Sequence, residues 1–156
     1  MNGDPSTATE LRDLYRELIL DHARSPRHFG KLDDATHSAD GINPLCGDKL
    51  KLYFRLDGNM KISDACFEGS GCAISVASAS LLTETVTGMT VAEATDFFHA
   101  VTASLSGKTE TKSVDLGKLR ALQGVKEFPS RVKCATLAWH AMNAALNQET
   151  RLATTE

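Results

Sequence analysis

Apolar residues recur along this chain with two different periods, and the change of period divides it into elements. From Leu11 to Arg24, the residues Leu11, Leu14, Tyr15, Leu18 and Ile19 return at steps of three and four. That spacing lays them on one face of a helix, which Ser25-Pro26 ends. Between Lys49 and Asp57 the period falls to two: Leu50, Leu52, Phe54 and Leu56 alternate with Lys49, Lys51, Tyr53 and Arg55, the pattern of a half-buried strand. The turn residues Asp57-Gly58-Asn59 predict a hairpin to a second strand over Ile62 to Phe67, and a third strand is expected near Thr36 to Asn43.

Beyond Gly71 the chain reads as helical. Ala73, Ile74, Val76, Ala77, Ala79, Leu81 and Leu82 are small or apolar nearly all round, so the segment running to Gly88 is expected to be a closely packed, buried helix. Thr90 and Glu93 make a capping box for a helix over Val91 to Leu105. Gly107 to Val125 is polar with short apolar patches and reads as a loop holding a brief helix around Leu116 to Leu122. After Pro129-Ser130, Val132, Ala135, Trp139, Met142 and Leu146 form a stripe at helical spacing. The prediction is an α+β fold with a small three-stranded antiparallel sheet packed against about five helices. The small polar residues 1–10 and 149–156 are expected to be mobile tails.

Composition narrows the class. A chain of 156 residues with 42% hydrophobic and 24% charged residues has the makeup of one globular domain. A net charge of −3 without a dense basic segment argues against nucleic-acid binding. No apolar run approaches the roughly 20 residues that cross a bilayer, and the N-terminus lacks the order of a secretory signal, so a cytoplasmic protein is expected. Its four cysteines should then be reduced, which favours metal binding or thiol chemistry over disulfides.

Three of those cysteines stand at the mouths of predicted elements. Cys46 lies in the turn Asn43-Pro44-Leu45-Cys46-Gly47-Asp48, Cys72 follows Ser70-Gly71 at a helix start, and Cys134 falls in the first turn of the last helix. None forms a Cys-x-x-Cys pair, so only the fold could gather them. Free backbone N–H groups at a helix start favour negative charge, so Cys72 and Cys134 are expected to ionise more easily than a free cysteine. Gly47 lets the backbone of the Cys46 turn approach a ligand. Three thiolates and the Asp48 carboxylate supply four donors, suited to tetrahedral zinc; iron or an iron–sulfur cluster would accept the same thiolates.

A single cysteine more often fills space than reacts, and it is the shared placement of these three that points to one site. Cys66 lacks it: on the strand, Ala65 and Phe67 share one face and Cys66 takes the other, the position of a bystander. The five histidines are scattered, and none makes a ligand spacing with another. Arg131 and Lys133 flank Cys134; charges on a first helical turn are more often solvated, and the functional alternative is that they stabilise thiolate or a transferred sulfur.

These strings, with Leu14-Tyr15-Arg16, Asp21-His22, Ser25-Pro26-Arg27, Phe67-Glu68-Gly69-Ser70-Gly71-Cys72-Ala73-Ile74-Ser75, Ala77-Ser78-Ala79-Ser80 and Lys133-Cys134-Ala135-Thr136-Leu137, resemble the U-type proteins of iron–sulfur cluster assembly over roughly Leu14 to Ala145. Lys133 stands where the IscU scaffolds carry histidine, and the Gly107 to Val125 segment is longer than theirs. Both features are similar to the SufU branch. That resemblance implies a zinc-dependent sulfurtransferase, with Cys46, Asp48, Cys72 and Cys134 as zinc ligands and Cys46 as acceptor of persulfide sulfur. The implied donor is a SufS-type pyridoxal-phosphate cysteine desulfurase, and the implied receiver a SufBCD-type assembly complex. The alternatives are a non-enzymatic iron–sulfur scaffold on the same cysteines and a structural zinc domain.

Overall fold

The computed structural model describes residues 5–106, 116–126, 128–147 and 153–154. Strands β1 (His37–Asn43), β2 (Asp48–Leu56) and β3 (Ile62–Ser70) form an antiparallel sheet with β2 in the centre. The alternation in β2 sets its register: Leu50, Leu52 and Phe54 are buried on one face and pair with Gly41, Ala39 and His37 of β1. Burying each such leucine or phenylalanine side chain is worth about 1.5–3 kcal/mol, so a one-residue slip would forfeit several of them at once. Asp57 shapes the β2–β3 turn by accepting the N–H groups of Asn59 (2.8 Å) and Lys61 (3.0 Å) on Oδ1. Tyr53 departs from the simple alternation. It faces away from the apolar row yet is buried, hydrogen-bonded to Glu68 with the Lys51 ammonium 5.5 Å from its ring.

Among the described residues, five helices accompany the sheet: α1 (Pro5–Arg24), α2 (Ala73–Val86), α3 (Val91–Ser106), a 3₁₀ helix (Gly117–Val125) and α4 (Pro129–Leu146). The capping box forms as expected, with Glu93 Oε1 accepting from Thr90 N–H (2.9 Å) and Thr90 Oγ1 from Glu93 N–H (3.2 Å). Helix α4 is buried far beyond the expected stripe, because it lies against β1, β2, α2 and α3 together. Ser78 bolts α2 to α4, donating to the Ala135 carbonyl (2.6 Å) and accepting from the Trp139 indole N–H (3.2 Å). The α1–α2 contact holds His22, whose Nδ1 lies 2.7 Å from Ser80 Oγ, while Arg27 N–H donates to the same oxygen (2.8 Å).

Two boundaries differ from the sequence reading. Helix α1 begins at Pro5, inside the segment expected to be a tail. Proline is preorganised for a first helical position, and Ala8 and Glu10 are strong helix formers, so the lack of large apolar residues does not stop the helix. At the other end, β4 (Ala153–Thr154), within the C-terminal segment also expected to be a tail, pairs in parallel with Gly41 and Ile42 at the edge formed by β1. Residues 107–115 of the polar segment lie outside the described residues, and the brief helix expected around Leu116 to Leu122 is the 3₁₀ helix. No helix among those described is long and apolar enough to cross a membrane.

Candidate metal centre

The sheet and two helix starts bring the predicted residues to one place. Cys46 comes from the β1–β2 turn, where the Asn43 carbonyl accepts both Cys46 N–H (3.2 Å) and Gly47 N–H (2.9 Å). Gly47 closes that turn at φ +74°, a conformation a side chain would strain. Asp48 opens β2, Cys72 is the residue before α2, and Cys134 lies in the second turn of α4.

One donor atom each from Cys46, Asp48 and Cys134 lie within 4.8 Å of one another, and the Cys134 and Cys46 sulfurs are 3.4 Å apart. Two thiolates on a tetrahedral zinc, with bonds of about 2.3 Å, would stand about 3.8 Å apart, so these side chains fit such an ion with only a small adjustment. Cys72 adjoins the group without joining it. Its N–H donates to Asp48 Oδ1 (2.9 Å), and its sulfur lies 3.6 Å from Ser75 Oγ.

Exposure and proton affinity separate the three thiols. Cys46 is exposed, Cys72 half-buried and Cys134 fully buried. Burial pushes the Cys72 thiol up, but its polar contacts with the Ser75 side chain, the Ser75 backbone and Cys134 outweigh it and leave the group below its ordinary value. Cys134 goes the other way. Burial, then its hydrogen bonds to Cys46, Asp48 and Cys72, raise it far above the usual range. This corrects the expectation that both helix-start thiols ionise easily. In the fully buried position, desolvation of a thiolate exceeds what the first turns of a helix offer. Arg131 approaches Cys72 and Cys134, and its cationic form is favoured first by the charge of Cys72 and then by that of Cys134. Lys133 is half-buried on the same turn.

Cys66 stays outside the centre. It pairs with Tyr53 across β2 and β3 on the outer face, and burial followed by the nearby Asp64 and Asp34 raises its pKa. Two further residues belong to the site without having been singled out. Ser75 Oγ donates to Asp48 Oδ2 (2.6 Å), and buried Asn43 places Nδ2 3.8 Å from the Cys134 sulfur. Ser75 stands three residues past Cys72 at a helix start, a spacing that brings both to one face; Asn43 carried no comparable signal.

The NifU-like N-terminal domain model matches residues 14–135, ending one residue past Cys134. The chain belongs to that family. Among curated members it is 43% identical over 139 residues to the zinc-dependent sulfurtransferase SufU of Bacillus subtilis, covering 89% of this chain and 93% of that one. It is 36% identical to the iron–sulfur cluster assembly scaffold protein IscU of Streptococcus pyogenes, covering 90% and 87%. A solved structure of a SUF-system scaffold protein, FiSufU from Fervidobacterium islandicum, superposes with a TM-score of 0.76 at 36% identity, covering 83% of this chain and 94% of that one. The family fold is thus the α+β arrangement that the residue pattern predicts.

Proposed function

We propose that this NifU-like domain is a sulfur-transfer protein of iron–sulfur cluster assembly, with Cys46 as the acceptor and Cys46, Asp48, Cys72 and Cys134 as a zinc-binding set. The observation that carries this reading is the contrast within one 3.4 Å pair: Cys46 on an exposed turn, its sulfur partly covered, beside a fully buried Cys134. Only the first is open to a macromolecular donor. Similarity to a relative named a zinc-dependent sulfurtransferase supports the same assignment. Bound zinc would keep its coordinating thiols deprotonated at neutral pH, reversing the preference that burial gives Cys134.

The donor would be a SufS-type pyridoxal-phosphate cysteine desulfurase carrying a cysteine persulfide. The Cys46 thiolate attacks the terminal sulfur, a new sulfur–sulfur bond forms on Cys46, the donor's bond breaks, and its cysteine departs as thiolate. No external oxidant or reductant is needed. The tight turn held by the Asn43 carbonyl presents Cys46, and Arg131 offers positive charge beside Cys72 and Cys134. A SufBCD-type complex would receive the sulfur.

Desulfurase turnover measured with and without the protein tests the reading, together with mass mapping of the extra sulfur. Stimulation lost in Cys46→Ala, with the added mass on Cys46, is expected. Undiminished stimulation in that variant, or sulfur carried by Cys66, would refute it. A scaffold role on the same cysteines is favoured by the relatives named IscU. Anaerobic purification separates the two, since a scaffold should carry iron and acid-labile sulfide and a transfer protein one zinc per chain.

A further inference from the structure

The Asp48 carboxylate is the most tightly held group of the centre, and what holds it comes from a different element. Its side chain is buried at the start of β2, yet both oxygens are satisfied by the start of α2: Oδ1 accepts Cys72 N–H (2.9 Å) and Oδ2 accepts the Ser75 hydroxyl (2.6 Å). Each oxygen keeps a further lone pair for a cation. Ser75 Oγ also lies 3.6 Å from the Cys72 sulfur, so one buried hydroxyl touches two of the four candidate ligands. It has a single proton, and the shorter contact assigns that proton to Asp48.

Gly71 completes the enclosure. A Cβ at this position would stand 2.8 Å from Asp48 Oδ1, closer than side-chain atoms tolerate, and 3.2 Å from Ser75 Cβ, a contact tight enough to make that neighbour give way slightly. The backbone between β3 and α2 therefore passes against the carboxylate because residue 71 has no side chain. A ligand ordered before the ion arrives loses less conformational freedom on binding, and hydrogen bonds to a ligating carboxylate set its orientation.

We propose that Ser75 and Gly71 form a cradle that fixes Asp48 as a metal ligand, Ser75 acting as a positioning residue for metal retention. The proposal rests on the zinc-centre reading above. It is tested by zinc affinity in competition with a chromophoric chelator and by the visible absorption of the cobalt(II) form, for wild type, Ser75→Ala, Gly71→Ala and Ser78→Ala. Ser75→Ala removes the hydrogen bond, whereas Gly71→Ala displaces the carboxylate by contact, so the two reach the same ligand by separate routes. Both should bind zinc about 10–100-fold more weakly and shift the cobalt ligand-field bands, as loss of a partner to a metal ligand typically does. Ser78→Ala, on the same helix but bonded to α4, should lower the melting temperature while leaving zinc affinity and the cobalt spectrum unchanged.

Zinc affinity within about threefold of wild type in a folded Ser75→Ala or Gly71→Ala protein, with an unaltered cobalt spectrum, would overturn the cradle, because a working partner of a metal ligand costs more than that. An equal loss of affinity in Ser78→Ala would overturn it as well, by making the effect one of general stability. Wild type binding neither ion would instead refute the metal centre itself.

Discussion

Replacing Ser78 by alanine should destabilise the protein by about 2 kcal/mol, and the geometry shows where the loss arises. Ser78 is fully buried in the α2–α4 contact, where its hydroxyl accepts the Trp139 indole N–H at 3.2 Å and donates to the Ala135 carbonyl at 2.6 Å. Alanine removes one oxygen and strands the indole N–H of a fully buried tryptophan, which has no solvent to turn to. Leaving a buried donor unsatisfied costs about 1–3 kcal/mol. The Ala135 carbonyl loses less, because an interior α-helical carbonyl keeps its backbone partner four residues on. For a chain of this size, about 2 kcal/mol corresponds to a fall in melting temperature of roughly 4–8 °C. Trp139 is the chain's single tryptophan, so its fluorescence reports the contact directly alongside thermal or urea unfolding. A melting temperature within about 1 °C of wild type would refute the reasoning, since that is less than the smallest cost assigned to a buried unsatisfied donor.

Acidification should also destabilise the fold. Burial first, then the charge of Arg27, lowers the pKa of His22, and burial lowers that of His140, so both stay neutral in the folded state at a pH where the unfolded chain, with its ordinary value of 6.5, takes up protons. The unfolded chain then binds more protons as pH falls below about 6.5, and stability present at higher pH is lost; urea midpoints that stay level or rise between about pH 7.5 and 5.5 would contradict this. Cys66→Ser should leave zinc content and sulfur uptake unchanged, because its thiol lies on the outer sheet face opposite Tyr53, and loss of either would contradict the bystander reading. In the metal-free protein under native conditions, limited alkylation read by mass mapping should label exposed Cys46 well ahead of fully buried Cys134; comparable labelling of both would contradict the contrast between them.

Local pattern was enough to find most elements because each depends on neighbours in the chain. The two-residue period of β2, the Thr90–Glu93 capping box and the all-round small or apolar character of α2 involve groups a few residues apart, and each appears in the structure. The failures have the opposite character. The burial of α4 on several sides exceeds its apolar stripe because strands and helices from along the chain converge on it. The pairing of β4 with β1 depends on where a distant strand edge lies.

The candidate centre divides along the same line. By itself, the sequence determined that Cys46, Asp48, Cys72 and Cys134 stand at the ends of elements and that Cys66 does not, since glycine turns and helix starts are local features. Only the tertiary structure decided how these groups differ. It set Cys46 on an exposed turn against the buried Cys134, gave Asp48 its partners on α2, and made desolvation outweigh the helix start at Cys134. Proton affinity and access depend on every atom packed around a group, and those atoms come from segments dozens of residues apart.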